Sequence, residues 1–136
     1  MGHFNMSKYT TVLVIEDEPE FQAFFDYMLG KRGFKAKLAD NAEDGIRMAR
    51  EGGISVILLD LQLPDLKGEE VIAKLKSFPE TKDIPVFAVS GYLDYGDKDK
   101  LDGQGFHDYF LKPVDFSRFF RSITSAIQEA HMKDVS

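Results

Sequence analysis

Five short stretches of the chain have the hydrophobic pattern of β-strands. Stretches 9–15, 54–60 and 84–89 are almost continuously apolar and rich in β-branched residues, which is typical of strands buried on both faces of a sheet. Stretch 34–38 instead alternates Phe, Ala and Leu with lysines, which predicts an edge strand with one face in solvent. Stretch 107–111 is the fifth and last predicted strand.

A segment with helical features follows each predicted strand. In four of these segments apolar residues recur at the spacing of an amphipathic helix. The predicted starts are Pro19, Ala42 after the cap Asn41, Gly68, and Phe116 after the cap Asp115. The first helix is predicted to turn inward Phe21, Phe24, Phe25, Met28 and Leu29. Segment 93–104 is highly charged and contains glycine, so it predicts only a short, loosely docked helix.

Strands and helices therefore alternate five times along the chain. Parallel strands joined by right-handed crossover helices form one sheet with helices on both faces. The sequence thus predicts an α/β fold of the doubly wound (βα)5 type, with a five-stranded parallel sheet. The carboxyl ends of such strands lie at one edge of the sheet, and ligands bind there.

Charged and hydroxyl side chains follow four of the predicted strands. Glu16 and Asp17 follow the first, Asp60 ends the central strand, Ser90 follows the fourth and Lys112 the fifth. Three carboxylates at one sheet edge repel one another unless a cation lies between them, and such oxygen ligands suit Mg²⁺. The alternative is a set of unrelated turn caps and salt bridges.

Composition argues against several classes of protein and of metal site. The 136 residues suffice for one domain, and a net charge of -6 argues against binding nucleic acid or an anionic membrane surface. The lack of cysteine excludes disulfides and thiolate metal sites, and His3, His107 and His131 have no zinc-ligand spacing. There is no signal-peptide pattern and no apolar run near the roughly 18 residues of a membrane span, which predicts a cytoplasmic protein.

Four segments resemble the motifs of the response-regulator receiver domains of two-component signalling. Residues 14–17 resemble the acid pair of that family, and residues 58–64 resemble its phosphoacceptor segment. Residues 89–91 are similar to the Ser or Thr position, and residues 108–113 to the strand with the switch aromatic and the Lys-Pro pair. Each motif is short, but the ordered set is specific.

The resemblance also sets the limits of the predicted domain. It covers residues 9–130 and implies a strand order of 2-1-3-4-5. Residues 1–8 are then a flexible start or a remnant of expression, and residues 131–136 are a C-terminal tail.

The resemblance implies that Asp60 accepts a phosphoryl group from a phosphohistidine on a histidine kinase or a histidine phosphotransfer protein. Asp17, Asp60 and the backbone carbonyl of Gln62 would hold Mg²⁺, with Glu16 helping through bound water. Phosphoryl transfer needs mainly positioning and charge neutralisation, which a metal ion and Lys112 would supply. The domain would then catalyse its own phosphorylation and lose phosphate slowly, without being a turnover enzyme.

A conformational switch is also implied by the resemblance. Ser90 would hydrogen-bond the phosphoryl group, which adds about -1.5 to -2 charge. The space it leaves would let Tyr109 turn inward and change the surface that residues 93–130 offer to an unidentified downstream protein. Otherwise Tyr109 is a plain strand aromatic with its hydroxyl in water. Similar domains have a cis peptide bond at the position of Pro113, which aims Lys112 inward.

Several positions depart from the family pattern. Lys67 stands where similar sequences often have Asp before Gly68, which changes the charge of the loop and not the proposed chemistry. Tyr92 and Gln62 border the approach to the phosphoryl group, and their size predicts slow hydrolysis of an aspartyl phosphate. Segment 93–105 departs most, and it normally forms part of the output surface.

Three other classes of protein share parts of this pattern. An aspartyl-nucleophile phosphatase would have a second Asp two residues past the first, where Gln62 stands and cannot transfer a proton. A receiver-like scaffold that binds partners without phosphorylation would be favoured by the loss of an acid, the hydroxyl or the lysine, and none is missing. A flavin-binding protein is disfavoured because loop 16–18 is acidic where a phosphate would need Ser, Thr and Gly.

Overall fold

The computed structural model describes residues 10–92 and 97–135 of the chain. The strands are β1 Thr11–Ile15, β2 Lys35–Ala39, β3 Val56–Asp60, β4 Val86–Ser90 and β5 Asp108–Leu111, and the helices are α1 Pro19–Lys31, α2 Ala42–Arg50, α3 Gly68–Ser77, α4 Asp97–Gln104 and α5 Phe116–Val135. The predicted flexible start at residues 1–8 lies outside the described residues, as do residues 93–96 of the fourth predicted helix. No helix in the described part of the chain has the length and apolarity to cross a membrane.

The five strands form one parallel sheet in the order β2-β1-β3-β4-β5. This order confirms the predicted doubly wound fold. Strand β3 is central, and its Leu58 pairs with Val14 of β1 and with Phe87 of β4. All five residues of β3 are buried, as its continuous apolar run predicts. The strand delivers Asp60 to the carboxyl edge of the sheet.

Helices cover both faces of this sheet. One face packs against α1 and α5, and the other packs against α2, α3 and α4. Successive residues of a strand point to opposite faces, so Leu58 belongs to the first core layer and Leu59 to the second. The first layer is largely aromatic: the Phe119 ring lies 5.3 Å from that of Phe110 and 6.1 Å from that of Phe25.

Two apolar side chains do not lie where the periodicity places them. Phe24 of α1 is 42% exposed, and its ring packs edge-on against Phe116 with 5.0 Å between centroids. Leu38 of β2 is 38% exposed. It lies on an edge strand, where one neighbouring strand is missing and cover is incomplete. Both side chains were predicted to face the core.

Helix α5 is the longest of the five helices in the described part of the chain. It continues through Val135, so the predicted C-terminal tail at residues 131–136 is helical over residues 131–135. Residues 128–135 contain no Gly or Pro to end the helix. By contrast, α4 is short as predicted, and Leu101 is its buried residue.

Two contacts hold the loop that follows Asp60. The Asp65 carboxylate accepts hydrogen bonds from the backbone N–H groups of Ala42, at 2.9 Å, and Glu43, at 3.1 Å. Asp65 thereby ties this loop to the start of α2, next to the predicted Asn41 cap. At the start of α3, a Cβ on Gly68 would lie 2.6 Å from the end of the Leu61 side chain, so a larger residue there would require that side chain to move.

Candidate functional site

Four acidic side chains meet at the carboxyl edge of the sheet. Glu16, Asp17 and Glu18 follow β1, and Asp60 ends the neighbouring β3. One carboxylate oxygen from each residue lies within 4.8 Å of the other three. Glu16 and Asp60 are buried, Asp17 is half-buried and Glu18 is exposed. These four residues are called the acid cluster below.

The ammonium group of Lys112 lies against the acid cluster. Its Nζ is 2.7 Å from Glu16 Oε1, 3.1 Å from Glu18 Oε1 and 3.6 Å from Asp60 Oδ2. The same nitrogen lies 4.0 Å from the centroid of the Phe21 ring on α1, a distance at which a cation is attracted to an aromatic face. The side chain is only 6% exposed. Three carboxylates and one ring therefore fix the position of this positive charge.

The surroundings raise the pKa of both Glu16 and Lys112. Burial, together with the adjacent Asp60 carboxylate, raises the pKa of Glu16 to about 7, although Lys112 acts in the opposite direction. Burial alone would lower the pKa of Lys112, but hydrogen bonds to Glu16 and Glu18 and the charge of Asp60 outweigh it and raise that pKa. Lys112 is thus held as a cation beside a carboxyl group that readily keeps a proton.

Two oxygens of the acid cluster are incompletely satisfied. Within the described ranges, Glu16 Oε1 and Asp60 Oδ2 are buried without a hydrogen bond of regular geometry, although Lys112 Nζ is near both. Buried carboxylates are stable when they are paired or when they coordinate a metal ion. One ammonium does not balance four acids, and oxygen ligands suit a hard divalent ion. The residues present therefore fit Mg²⁺.

Ser90 and Gln62 border the cluster. The buried Ser90 hydroxyl donates a hydrogen bond to the Tyr92 carbonyl, at 2.8 Å, and accepts one from the Tyr92 N–H, at 3.1 Å. Gln62 donates its N–H to Asp60 Oδ1, at 2.9 Å, and its side-chain Oε1 accepts the N–H of Gly91, at 3.3 Å. Gln62 thus bridges the loops that follow β3 and β4.

Strand β5 joins the lysine to the predicted switch aromatic. The Lys112 N–H donates to the Ser90 carbonyl, at 2.8 Å, and the peptide bond between Lys112 and Pro113 is cis. Tyr109 is half-buried on the face of the sheet that packs against α2, α3 and α4. The Tyr109 carbonyl accepts a hydrogen bond from the Arg118 guanidinium of α5.

Most of the predicted site residues are brought together. Glu16, Asp17, Asp60 and Lys112 lie in direct proximity, Gln62 and Ser90 occupy the bordering loops, and Tyr109 lies apart on β5. Glu18 and Phe21 were not among the predicted site residues, although both contact Lys112. Glu18 directly follows the acid pair, which was a usable signal. Phe21 gave none, because its helical spacing is equally that of a core residue.

Comparison with known sequences identifies the family. The model of the response regulator receiver domain matches residues 12–124. The polar-differentiation response regulator DivK of Brucella anthropi is 31% identical over 120 residues, which cover 88% of this chain and 98% of that protein. DivK of Brucella ovis is 30% identical with the same coverage.

Solved structures show the same fold. The receiver domain of a sensor histidine kinase from Pseudomonas aeruginosa, which has a magnesium ion coordinated in its active-site cleft, matches with a TM-score of 0.80 at 24% identity over 88% of this chain and 98% of that one. A response regulator receiver domain protein from Clostridium thermocellum matches with a TM-score of 0.82 at 24% identity over 90% and 98%. With the family model and the DivK relatives, these matches show that the chain belongs to the response regulator receiver domains of two-component signalling.

Proposed function

We propose that this chain is a phosphorylation-dependent signalling module in which Asp60 receives the phosphoryl group. Receiver domains in general accept phosphate from histidine kinases or phosphotransfer proteins. The main support for Asp60 is its Oδ2 atom, which is buried without a regular hydrogen bond from the described residues and lies 3.6 Å from Lys112 Nζ. Such an oxygen is free to act as a nucleophile.

Magnesium is the proposed cofactor. Asp17, Asp60 and the backbone carbonyl of Gln62 would hold the ion, and Glu16 would help through bound water. The spacing of the acid cluster supports this assignment, because it gathers four carboxylates around one ammonium group. The magnesium ion in the receiver domain from Pseudomonas aeruginosa is consistent with it. Bound there, the metal would neutralise charge on the transferred oxygens.

Transfer would move one phosphoryl group between two nucleophiles. An oxygen of the Asp60 carboxylate forms a bond to phosphorus while the bond between phosphorus and the donor imidazole nitrogen breaks. The electron pair of the broken bond stays on that nitrogen. Lys112 offsets the negative charge that gathers on the phosphoryl oxygens. Receiver domains are not classical enzymes, and this one would catalyse only its own phosphorylation and the slow loss of the phosphate.

Ser90 and Tyr109 form the proposed switch. The Ser90 hydroxyl is now bonded to the backbone of Tyr92, and a phosphoryl group would offer it strong acceptor oxygens instead. As Ser90 turns, the half-buried Tyr109 gains room to move inward, which changes the surface formed by β5, α4 and α5 for a downstream protein. Ser90→Ala should therefore still gain phosphate but leave the NMR signals of the Tyr109 ring unchanged. An equal shift of those signals in both proteins would contradict the switch.

Phosphoryl uptake from a small acyl phosphate tests the proposal. The intact mass of the wild type should increase by one phosphoryl group in the presence of Mg²⁺ and stay unchanged in EDTA. Asp60→Asn should gain nothing, whereas the control Asp26→Asn, at an exposed position of α1, should match the wild type. If the wild type gains no phosphate while calorimetry shows that Mg²⁺ binds, the chain is a scaffold that does not use phosphorylation.

A further inference from the structure

The ammonium group of Lys112 already has close partners, and it donates a hydrogen bond to Glu18 Oε1 at 3.1 Å. An ammonium group has three N–H donors, and its Nζ lies near oxygens of Glu16, Glu18 and Asp60. The Phe21 ring covers a further side of the same nitrogen. A phosphoryl oxygen on Asp60 that approaches this nitrogen therefore competes with Glu16 and Glu18 for it.

Burial decides which partner leaves. The Glu16 side chain is 1% exposed, so a broken contact there would leave a buried charge unpaired. The Glu18 side chain is 52% exposed, and its carboxylate is rehydrated when it turns away. Its backbone does not need to move, because the Glu18 N–H stays bonded to Glu16 Oε2 at 3.1 Å. Glu18 is therefore the partner that yields.

We propose that Glu18 is a positioning residue that holds Lys112 before phosphorylation and restrains the reaction through its own negative charge. This inference rests on the proposed function of Asp60. Glu18 adds a fourth carboxylate to the cluster, which favours a cation and disfavours an incoming anion. It thus raises the affinity for Mg²⁺ while slowing acceptance of the phosphoryl group.

If Glu18 acts through its charge, removal of that charge should have opposite effects on Mg²⁺ binding and on phosphorylation. A purely structural role would not give opposite effects. Glu18→Gln should bind Mg²⁺ more weakly than the wild type, because one negative charge is lost. At saturating Mg²⁺, the same variant should be phosphorylated faster, because Lys112 is released and repulsion falls. A substitution that only disturbs the fold would weaken both processes. The difference in phosphorylation rate should shrink as salt concentration rises, since salt screens an exposed charge.

The experiment compares the wild type with Glu18→Gln and with the control Glu20→Gln. Glu20 is exposed in the first turn of α1 and is not a member of the acid cluster, so the control removes a similar charge from the same helix end. Calorimetry gives the dissociation constant for Mg²⁺. Intact mass after addition of acetyl phosphate gives the rate of phosphorylation. For Glu18→Gln we expect a change of roughly twofold to fivefold in each quantity, the range for one partly exposed ion pair.

The outcomes separate this inference from the proposed function. A faster reaction with weaker Mg²⁺ binding in Glu18→Gln, and values near wild type in Glu20→Gln, support the restraining role. If the wild type is phosphorylated but Glu18→Gln reacts at the same rate as Glu20→Gln, or more slowly, the role of Glu18 is wrong and that of Asp60 stands. If the wild type gains no phosphate at all, both are wrong.

Discussion

Glu16 is almost fully enclosed at the carboxyl edge of the sheet. Its carboxyl group faces Asp60, Asp17, Glu18 and Lys112, and the surrounding protein excludes water from it. In the folded protein without metal, these surroundings raise its pKa from 4.5 to about 7. The folded state consequently binds a proton at Glu16 more tightly than the unfolded chain does.

This shift predicts a pH dependence of stability in EDTA. Between pH 4.5 and about 7, folded Glu16 is more protonated than unfolded Glu16, so its contribution to the free energy of unfolding falls as the pH rises through this range. We expect a loss on the order of 1–3 kcal/mol from this residue. Urea unfolding at several pH values measures it.

Glu16→Gln is the matched control for that measurement, because it cannot ionise. The difference in unfolding free energy between the wild type and this variant should change across the same pH range. Saturating Mg²⁺ should reduce the change, since a bound cation replaces the proton. A difference that stays constant with pH in EDTA would contradict the raised pKa.

Tyr92 is predicted to slow the loss of phosphate from Asp60. It lines a cavity of about 280 Å³ with Gln62 and Ser90, so its ring can obstruct water that approaches the phosphoryl group. Tyr92→Ala should therefore lose phosphate faster, by roughly twofold or more, if water access limits hydrolysis. The decay of the phosphorylated mass after removal of the donor measures this rate. Tyr27→Ala, at a similarly exposed tyrosine of α1, is the control, and equal rates in both variants would exclude the shielding role.

At the scale of single residues, the sequence predicted the site residues at strand ends. It did not predict residues whose role depends on contact with a different element. Asp60, Ser90 and Lys112 could be placed because the ends of parallel strands lie at one edge. Phe21 could not, since its contact with Lys112 depends on how α1 is rotated against the sheet. Asp65 was missed for a similar reason: it caps a helix that lies 23 positions earlier in the chain.

At the scale of elements, the loop after β3 is held by a capping contact from another part of the chain. Asp65 accepts two backbone N–H groups at the start of α2, which also lowers its own pKa despite the cost of desolvation. Asp65→Ala should lower the free energy of unfolding by about 1–2 kcal/mol, the value of a helix cap. The control Asp26→Ala, at an exposed position within α1, should change it by much less. Urea unfolding measures both, and equal losses would contradict the capping role.

Helices α3 and α4 are anchored to very different extents. Several residues of α3 are buried, and Leu75 is one of them. In α4 the buried residue is Leu101. Leu75→Ala should lower the free energy of unfolding by about 2–5 kcal/mol. Leu101→Ala should cost less and should mainly speed hydrogen exchange of the α4 amides, because local opening needs few contacts to break. Equal global losses with unchanged α4 exchange would contradict this difference.

Hydrophobic periodicity predicted the elements well where burial is complete. The continuous apolar run of β3 predicted a strand buried on both faces, and all five of its residues are buried. The same method failed for Leu38 and Phe24, because periodicity shows which face of an element is apolar but not whether a neighbour covers it.

At the scale of the whole molecule, every local signal agreed with one topology. Five strand and helix pairs, capping residues at the helix starts and polar groups at the strand ends are all compatible with the 2-1-3-4-5 sheet. Such consistency across levels is what makes a fold predictable from one sequence. The relative position of side chains from different elements was not predictable, because it is set by packing of the assembled layers.

The acid cluster and Lys112 at the carboxyl edge of the sheet support one central claim, that the phosphoryl group is attached to Asp60. The most direct test reduces the phosphorylated protein with borohydride, which converts an aspartyl phosphate to homoserine and leaves a free carboxylate unchanged. Sequencing of the peptides by mass spectrometry then locates the converted residue. We predict homoserine at position 60 after incubation with acetyl phosphate and Mg²⁺, and aspartate there in EDTA. Homoserine at another position, or at none in a protein that has gained the phosphoryl mass, would contradict the claim.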